Sequence, residues 1–541
     1  MYSPEEFNSM HGGACSNAAC SGSSLCRPCS RSLSINPRSP VRYLSTVLVL
    51  AATLVISACA PGATTRSSLS GPVVESKGRP SAPSSVGSEQ HSEQDIEGLD
   101  TRQILQWYEE ARDIVARDRQ VDLSKLSAEI ADEREIAIHA RTSLLGALSH
   151  DLSNADFAES LVDNILHTQT ASVLAIYSPD QRKILIHRDN LIDYLRTSRN
   201  SIPTGKSDKA AIQALLIHEL IHASDHIQHD AFSNSNSTTY QEVFAKSTII
   251  EGHAQWHTRR LCRLSGCSGA FDTLNRYMFE VDEQTDPALE YVQNRNFKSL
   301  EFVYKEGERF IDALMKRPNG QGLIATAFSS PPRDSIQIID PQSFPNRERE
   351  VRNLILSNAI ESANKPWSKR HKGTLKRNVL AAAAFSVNPE ARRPIVDFYT
   401  TKVLATAKHE YYDRNSDTPI PIAIIALQTD TIHTATNTAE IVFDSTASTY
   451  GSLNGTLVSL TDWNTSQHTA NIDRAKKYPL RIDMFTASGH MSNGMINAEY
   501  PIEVVTATAG TYIIHIDGRY SGGKTDLMQL AGQLLTTLNE Q

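Results

Sequence analysis

LLIHELIHA, residues 215–223, is the most informative segment of this chain. The alanines and leucines before it favour a helix, and the acidic Asp208 suits the first turn of that helix. Helical residues four apart lie on one face, so His218 and His222 are expected to project side by side. Two imidazoles in this arrangement can share one Zn²⁺, with Glu219 beside the metal as a general base.

A zinc site of this kind needs a third protein ligand. The pattern HExxHxxGxxH, which supplies a third His from the same segment, is not present, because Asp225 and Gln228 occupy its Gly and His positions. His226 and His229 lie nearby, and we interpret them as exposed residues at the end of the helix.

A carboxylate from a following helix is the other common source of the third ligand. Glu242 lies 20 positions after His222, and Glu251 lies 29 positions after it. The two glutamates are separated by about 900° of helical rotation, so they face opposite sides and only one can bind. One turn further on, Lys246 follows Glu242 and Gln255 follows Glu251. A cation beside zinc is unfavourable, whereas an amide can hydrogen-bond a ligand carboxylate, so Glu251 is the preferred ligand.

The N-terminal part resembles an export signal. Residues 43–58 form an apolar run after Arg38 and Arg42, too short to span a bilayer. The run ends in ISAC, residues 56–59, which resembles the lipobox of bacterial lipoproteins, whose Cys is lipidated. Lipidation of Cys59 is therefore expected to anchor the protein in the cell membrane on the extracytoplasmic side, extracellular or periplasmic.

Residues 1–58 are thus interpreted as an N-terminal extension and signal peptide. Residues 59–95 are rich in Ser, Gly and Pro, which is typical of a flexible tether. Beyond the tether the cysteines are Cys262 and Cys267, and two cysteines so close in an oxidising compartment suggest a disulfide.

The composition excludes several classes of protein. The 541 residues include 53 Lys and Arg against 61 Asp and Glu, for a net charge of −8. Without a basic surface to attract phosphates, nucleic acid is not an expected partner. The hydrophobic content of 40% suffices for a core and excludes a wholly disordered chain.

We predict an α+β protein with two folded regions. Residues 96–380 have helical spacing over 100–165 and 270–325, and predict a mostly helical domain. Residues 381–541 predict a small α/β domain without a catalytic signature, for which a ferredoxin-like sandwich is the candidate arrangement. Its predicted strands are 455–460, 480–485, 502–506 and 512–517, and its predicted helices are 466–477 and 526–538.

Several segments in a fixed order resemble a gluzincin-type family of exported prokaryotic proteins, outlined by YxP, HELxHA, ALxEGxA and PPxSxxQIxxP. The matching segments here are YSPD (177–180), HELIHA (218–223), EGHA (251–254), FVYKEGERF (302–310) and PPRDSIQIIDP (331–341). The ordered set is more specific than any one segment.

This resemblance implies a zincin-like metallopeptidase fold acting on a peptide or protein substrate. It implies a Zn²⁺ cofactor held by His218, His222 and Glu251, with Glu219 as the base. It also implies an edge strand near residues 183–186, to which an extended substrate can add.

Two functions remain open at this stage. The first is a membrane-anchored, exported zinc metallopeptidase, with cell-wall peptides as one substrate variant. The second is a catalytically weak relative acting as a binding or assembly factor at the cell envelope. It is suggested by His253 and Asp340, where the family often has Asp and His. The sequence does not place an oxyanion stabiliser, for which His253, Tyr277 and Tyr304 are candidates.

Overall fold

The computed structural model describes residues 100–139, 141, 173–201, 208–232, 240–279, 301–333, 335–346, 348–363, 371–377, 397–398, 401–413, 421–453, 458–470, 480–492, 497–519 and 524–540. The predicted signal peptide, Cys59 and the tether lie outside these residues. So do the helices expected within 142–165 and 280–300. The described chain is a mixed α+β protein, as predicted. None of its described helices combines the length and the apolar character that crossing a membrane requires.

Helices dominate the first region, residues 100–346. They are α1 Thr101–Arg119, α2 Arg188–Ser201, α3 Asp208–His229, α4 Tyr240–Ser265, α5 Ser268–Phe279, α6 Gly307–Met315, α7 Gly320–Ser329 and α8 Ser335–Ile339. A π-helical turn, Phe302–Glu306, precedes α6, and a 3₁₀ turn, Pro341–Ser343, follows α8. The α3 helix is buried along its middle, from Ala211 to Asp225, as expected of a central helix.

The α1 helix shows how the sequence specifies this packing. Asp100 caps its first turn by accepting a hydrogen bond from the backbone N–H of Arg102. Its buried residues recur at helical spacing: Ile104, Trp107, Tyr108, Ala111 and Val115. This apolar face packs against α3, which places Arg119, at the end of α1, beside the second half of α3.

A three-stranded sheet lies beside α3. Its strands are β1 Ser127–Ala131, β2 Ala175–Ser178 and β3 Lys183–His187, in the order β1–β3–β2. The β1 strand is parallel to β3, and β2 is antiparallel to it. The predicted edge strand at 183–186 is therefore wrong: it is the middle strand of the described sheet. The reason is its uninterrupted buried run of apolar residues, which is typical of a strand covered on both faces. The edge strand beside α3 is β2.

The second region is a seven-stranded sheet with helices. Its elements are α9 Glu348–Ala363, β4 His371–Arg377, β5 Val403–Asp413, β6 Pro421–Thr429, α10 Ile432–Leu453, β7 Val458–Ala470, β8 Leu480–Ser492, β9 Asn497–Ala509, β10 Tyr512–Arg519 and α11 Lys524–Glu540. The strand order is β4–β5–β6–β10–β9–β8–β7, and every neighbouring pair is antiparallel. The α9 and α11 helices pack on this sheet and on each other, and the sheet begins before residue 381.

This topology differs from two expectations. Three strands, a helix, four strands and a helix follow one another, whereas a ferredoxin-like fold has the order β-α-β-β-α-β. Residues 466–470, expected to be helical, belong to β7 and pair with β8, and residues 471–477 lie outside the described part. The strands predicted at 502–506 and 512–517 are confirmed within β9 and β10, and the final helix is confirmed as α11.

Candidate metal centre

Three side-chain donor atoms from two helices converge at one point. His218 and His222 lie one turn apart on α3, and their Nε2 atoms are 3.2 Å apart. Glu251 reaches them from α4: its Oε2 lies 3.2 Å from Nε2 of His218 and 3.4 Å from Nε2 of His222. All three residues are buried. We call this arrangement the donor triangle.

The dimensions of the donor triangle suit a small tetrahedral cation. Zinc bound at about 2.0–2.1 Å to nitrogen or oxygen separates its ligand atoms by about 3.3 Å in a tetrahedron. The three edges, 3.2, 3.2 and 3.4 Å, agree with that separation. Two imidazoles and one carboxylate are also a donor set that zinc commonly takes in catalytic sites.

Glu242, the alternative third ligand, has another partner. Its carboxylate lies 3.3 Å from Nε of Arg333, with which it forms an ion pair. The structure thus brings Glu251, and not Glu242, to the two histidines. The helical rotation between the two glutamates separates them as the sequence predicts.

Glu219 stands beside the donor triangle and is held by a strand. Its Oε2 accepts a hydrogen bond of 2.8 Å from the backbone N–H of Tyr177, in the edge strand β2. Donor atoms of Glu219, His218 and His222 all lie within 4.8 Å of one another. Burial raises the pKa of Glu219, and the negative charge of Glu251 acts in the same direction. Such a carboxylate accepts a proton more readily than an exposed one.

The donor triangle is strongly polarised without a metal. Burial alone would lower the pKa of His222, but the carboxylates of Glu251, Glu219 and Asp225 outweigh it and raise this pKa to about 9. Burial would likewise raise the pKa of Glu251, but the two histidines lower it to about 2. The metal-free protein therefore holds a protonated His222 against an ionised Glu251 at neutral pH.

Tyr304 touches two corners of the donor triangle. Its ring stacks on His218, with centroids 5.9 Å apart, and its hydroxyl hydrogen-bonds the Glu251 carboxylate. Burial and the charges of Glu251 and Glu219 raise the pKa of Tyr304 well above its usual range, so the hydroxyl keeps its proton and donates a hydrogen bond to the Glu251 carboxylate. Tyr304 belongs to the π-helical turn, a feature frequently found at functional sites. Among the oxyanion candidates, it is the one shown in contact with the donor triangle.

Two glycines bring α4 close to the start of α6, which follows the π-helical turn that carries Tyr304. A Cβ atom added to Gly252, in α4, would lie 2.2 Å from the backbone carbonyl carbon of Gly307, at the start of α6. Only glycine permits this approach of two helix backbones. The glycines were visible in the EGHA and FVYKEGERF segments, but nothing in the sequence showed that they contact each other.

The other oxyanion candidates have different surroundings. Nδ1 of His253 lies 2.8 Å from Oδ2 of Asp225, and the ring of Tyr277 packs edge-on against Tyr194 at 4.9 Å. Asp340 caps the 3₁₀ turn by accepting the backbone N–H of Gln342 at 3.3 Å.

His226 and His229 are half-buried, and not exposed as predicted. His226 hydrogen-bonds the Tyr177 hydroxyl through Nδ1 at 2.8 Å. His229 stacks on Phe328, with centroids 4.6 Å apart. Both rings face neighbouring elements because α3 remains packed to its last turn.

The two cysteines that follow the tether form the predicted disulfide. A disulfide links Cys262, near the end of α4, to Cys267, just before α5. Both residues are buried in the core of the helical region.

Comparisons with protein-family models, curated proteins and solved structures found no significant similarity.

Proposed function

We propose that this protein is an exported zinc metallopeptidase with a zincin-like fold, in which His218, His222 and Glu251 hold Zn²⁺ and Glu219 is the general base. The observation that carries this proposal is the donor triangle, whose edges of 3.2–3.4 Å match a tetrahedral zinc site. When bound, zinc supplies Lewis-acid chemistry that polarises a carbonyl group and lowers the pKa of water.

The surroundings of Glu219 support its role as the base. Its Oε2 is held by the Tyr177 N–H, which leaves Oε1 to take a proton from the attacking water. Its raised pKa brings proton uptake closer to neutral pH, where a general base is most effective. The same carboxyl group can then deliver that proton to the leaving amine.

The edge strand supports a peptide as substrate. Leu174, just before β2, accepts the backbone N–H of His187 at 2.9 Å, so alternate residues of β2 bond to β3. Ala175 and Tyr177 therefore direct their backbone groups away from β3, and the Tyr177 N–H reaches Glu219. An extended peptide can pair with such an edge, which would place it along the donor triangle.

The anchoring part of the proposal concerns Cys59. Lipidation there would hold the folded region, through the tether of residues 59–95, on the extracytoplasmic side of the cell membrane. Cys59→Ser is expected to release the protein from the membrane fraction or to leave an unprocessed precursor. Normal processing with normal membrane retention would contradict the lipobox.

Glu219→Gln tests the enzymatic part. Because Glu219 is not a ligand in this scheme, the variant should retain about one zinc per chain while its cleavage of a peptide library falls by about 10²–10⁴-fold. Glu242→Gln is the matched control, since it neutralises a buried carboxylate outside the donor triangle. A wild-type protein that takes up no zinc contradicts the metal site.

The same variant distinguishes the alternative function. Zinc binding combined with a cellular function that is fully retained in Glu219→Gln would favour the anchored binding or assembly factor over the peptidase.

A further inference from the structure

A second cluster of buried polar and charged side chains lies on the helices that carry the donor triangle. It joins α1, α3 and α4 and consists of Arg119, Asp225, His253 and His257. The side chain of Asp225 has no exposed surface, that of His253 is 3% exposed and that of Arg119 is 9% exposed. Neither the zinc ligands nor the general base belongs to this cluster.

Asp225 is the centre of the cluster. Its Oδ2 accepts a hydrogen bond of 2.8 Å from Nδ1 of His253, and its Oδ1 accepts one of 3.2 Å from Nη2 of Arg119. Arg119 also donates to Oγ of Ser224 at 3.2 Å and to Nε2 of His257 at 2.7 Å. One arginine from α1 thus contacts both helices that carry the donor triangle.

The charges in the cluster fix which groups donate. Burial lowers the pKa of His257 well below its usual range, and the neighbouring His253, Arg119 and Arg260 act in the same direction. His257 is therefore neutral, and its Nε2 accepts a hydrogen bond from Arg119. Each oxygen of Asp225 faces a donor, so the buried carboxylate is compensated, as a stable buried charge requires.

The bond between Asp225 and His253 connects the two ligand-bearing helices close to the ligands. Asp225 lies three residues after His222 on α3, and His253 lies two residues after Glu251 on α4. Both positions are within one helical turn of a corner of the donor triangle. A hydrogen bond at this place restricts the sliding and rotation of α3 against α4.

Two further rings pack edge-on against His253. Phe328, in α7, meets the His253 ring edge-on at 5.2 Å, and His229 meets it edge-on at 6.2 Å. The His253 ring therefore has little freedom to turn away from Asp225.

We propose that Asp225 and His253 are positioning residues, which form a buried hydrogen-bonded link between α3 and α4 that sets the spacing of the donor triangle. This inference rests on the proposed zinc site, because the spacing matters only if one cation binds all three donors. The link touches no metal and no substrate, and acts through the helices that carry His222 and Glu251.

Two substitutions of His253 separate the hydrogen bond from the bulk of the ring. In His253→Asn the side-chain amide nitrogen lies near the position of Nδ1 and can still donate to Asp225. In His253→Leu that donor is lost while an apolar side chain fills part of the space. We expect His253→Leu to weaken Zn²⁺ binding by about 10–100-fold, the range found when groups that support metal ligands are changed. We expect His253→Asn to remain close to the wild-type affinity.

The measurement is competition for Zn²⁺ with a chelator on the purified protein, together with the visible absorption spectrum of bound Co²⁺. The spectrum reports the coordination geometry, so a changed band shape in His253→Leu would show displaced ligands and not only a less stable fold. Glu242→Gln is the control on the same helix, and should leave both readouts unchanged. If His253→Leu does not fold, Asp225→Asn tests the same link, since an amide can accept only one of the two hydrogen bonds.

Three results would overturn the inference. The first is a His253→Leu protein with reduced thermal stability but wild-type Zn²⁺ affinity and Co²⁺ spectrum. The second is an equal loss of affinity in the Asn and Leu variants. The third is a wild-type protein that binds neither metal, which also overturns the proposed function and so differs from the first two.

Discussion

The sheet region and the helical region bury charged side chains in different ways. In the sheet, Lys408 and Glu410 lie two positions apart on β5 and form an ion pair of 2.7 Å. On β9 and β10, which pair with each other, Thr506 and His515 hydrogen-bond at 2.8 Å, and burial lowers the pKa of His515 to about 4. These buried groups face one another in pairs across the sheet surface.

In the helical region, by contrast, the buried groups face a common point. Nε2 of His218, Nε2 of His222 and Oε2 of Glu251 lie within 3.4 Å of one another, and Glu219 stands beside them. Burial of charge therefore does not by itself mark a site. The convergence of several donor atoms does, because one cation can bind them all.

The largest expected effect is on zinc retention, and it should differ between the two glutamates of α4. Glu251→Ala removes one corner of the donor triangle and should abolish zinc retention through gel filtration, whereas Glu242→Ala should not. Metal content by elemental analysis is the measurement. The reverse result, zinc lost in Glu242→Ala and kept in Glu251→Ala, would mean that Glu242 is the third ligand and that the donor triangle is not the zinc site.

The next largest effect is expected on the stability of the protein when the buried ion pair of the sheet is broken. Lys408→Met removes the cation that pairs with the buried carboxylate of Glu410, and should lower the free energy of unfolding by about 3–5 kcal/mol. Lys402→Met is the control, since its pair with Asp430 is exposed and should contribute less than about 1 kcal/mol. Chemical denaturation measures both. Zinc affinity should stay at the wild-type value in both, and a loss of it would show that the two regions are coupled.

A smaller effect is expected at the contact of α4 with α6. In Gly252→Ala the added Cβ overlaps the backbone of Gly307, and the helices must separate at a cost of about 1–3 kcal/mol. Gly322→Ala is the control, because the atoms nearest to its added Cβ belong to the movable side chain of Asn319. Thermal unfolding compares them. If Gly252→Ala leaves both the stability and the zinc affinity unchanged, the close approach of the α4 and α6 backbones contributes to neither.

The last effect is the pH dependence of metal binding. His222 has a pKa of about 9 in the metal-free protein, so below that pH zinc must displace its proton. The apparent affinity should rise about tenfold per pH unit from about pH 6.5 and level off near pH 9. Titration calorimetry in buffers of different ionisation enthalpy measures the released proton. His515, whose pKa is about 4, cannot contribute in this range. An affinity that does not vary with pH would contradict the protonated state of His222.

The sequence predicted the local parts of this arrangement well. Helical spacing alone places His218 and His222 on one face and separates Glu242 from Glu251, because rotation per residue is a property of the backbone. The α+β class and the last strands and helix also followed from local patterns, such as the β-branched residues of β9 and β10.

What the sequence did not predict depends on contacts between distant segments. The bond from the Tyr177 N–H to Glu219 requires the position of β2 against α3, which no spacing encodes. The contact of Gly252 with Gly307 and the link between Asp225 and His253 are of the same kind. Residues 466–470 were misassigned because polar residues such as Ser466 and Gln467 carry little preference, and pairing with β8 decides their conformation.

The disulfide between Cys262 and Cys267 also reports on the redox state of the compartment in which the chain folded. Cytosolic thiol buffers keep cysteines reduced, so a molecule that carries this bond has entered an oxidising compartment. Both residues are buried, 0% and 1% exposed, so thiol reagents reach them only after unfolding. Alkylation under denaturing conditions without reductant, followed by mass spectrometry of the peptides containing the pair, therefore measures the fraction of molecules in which this disulfide has formed. That measurement depends neither on peptidase activity nor on attachment to a membrane.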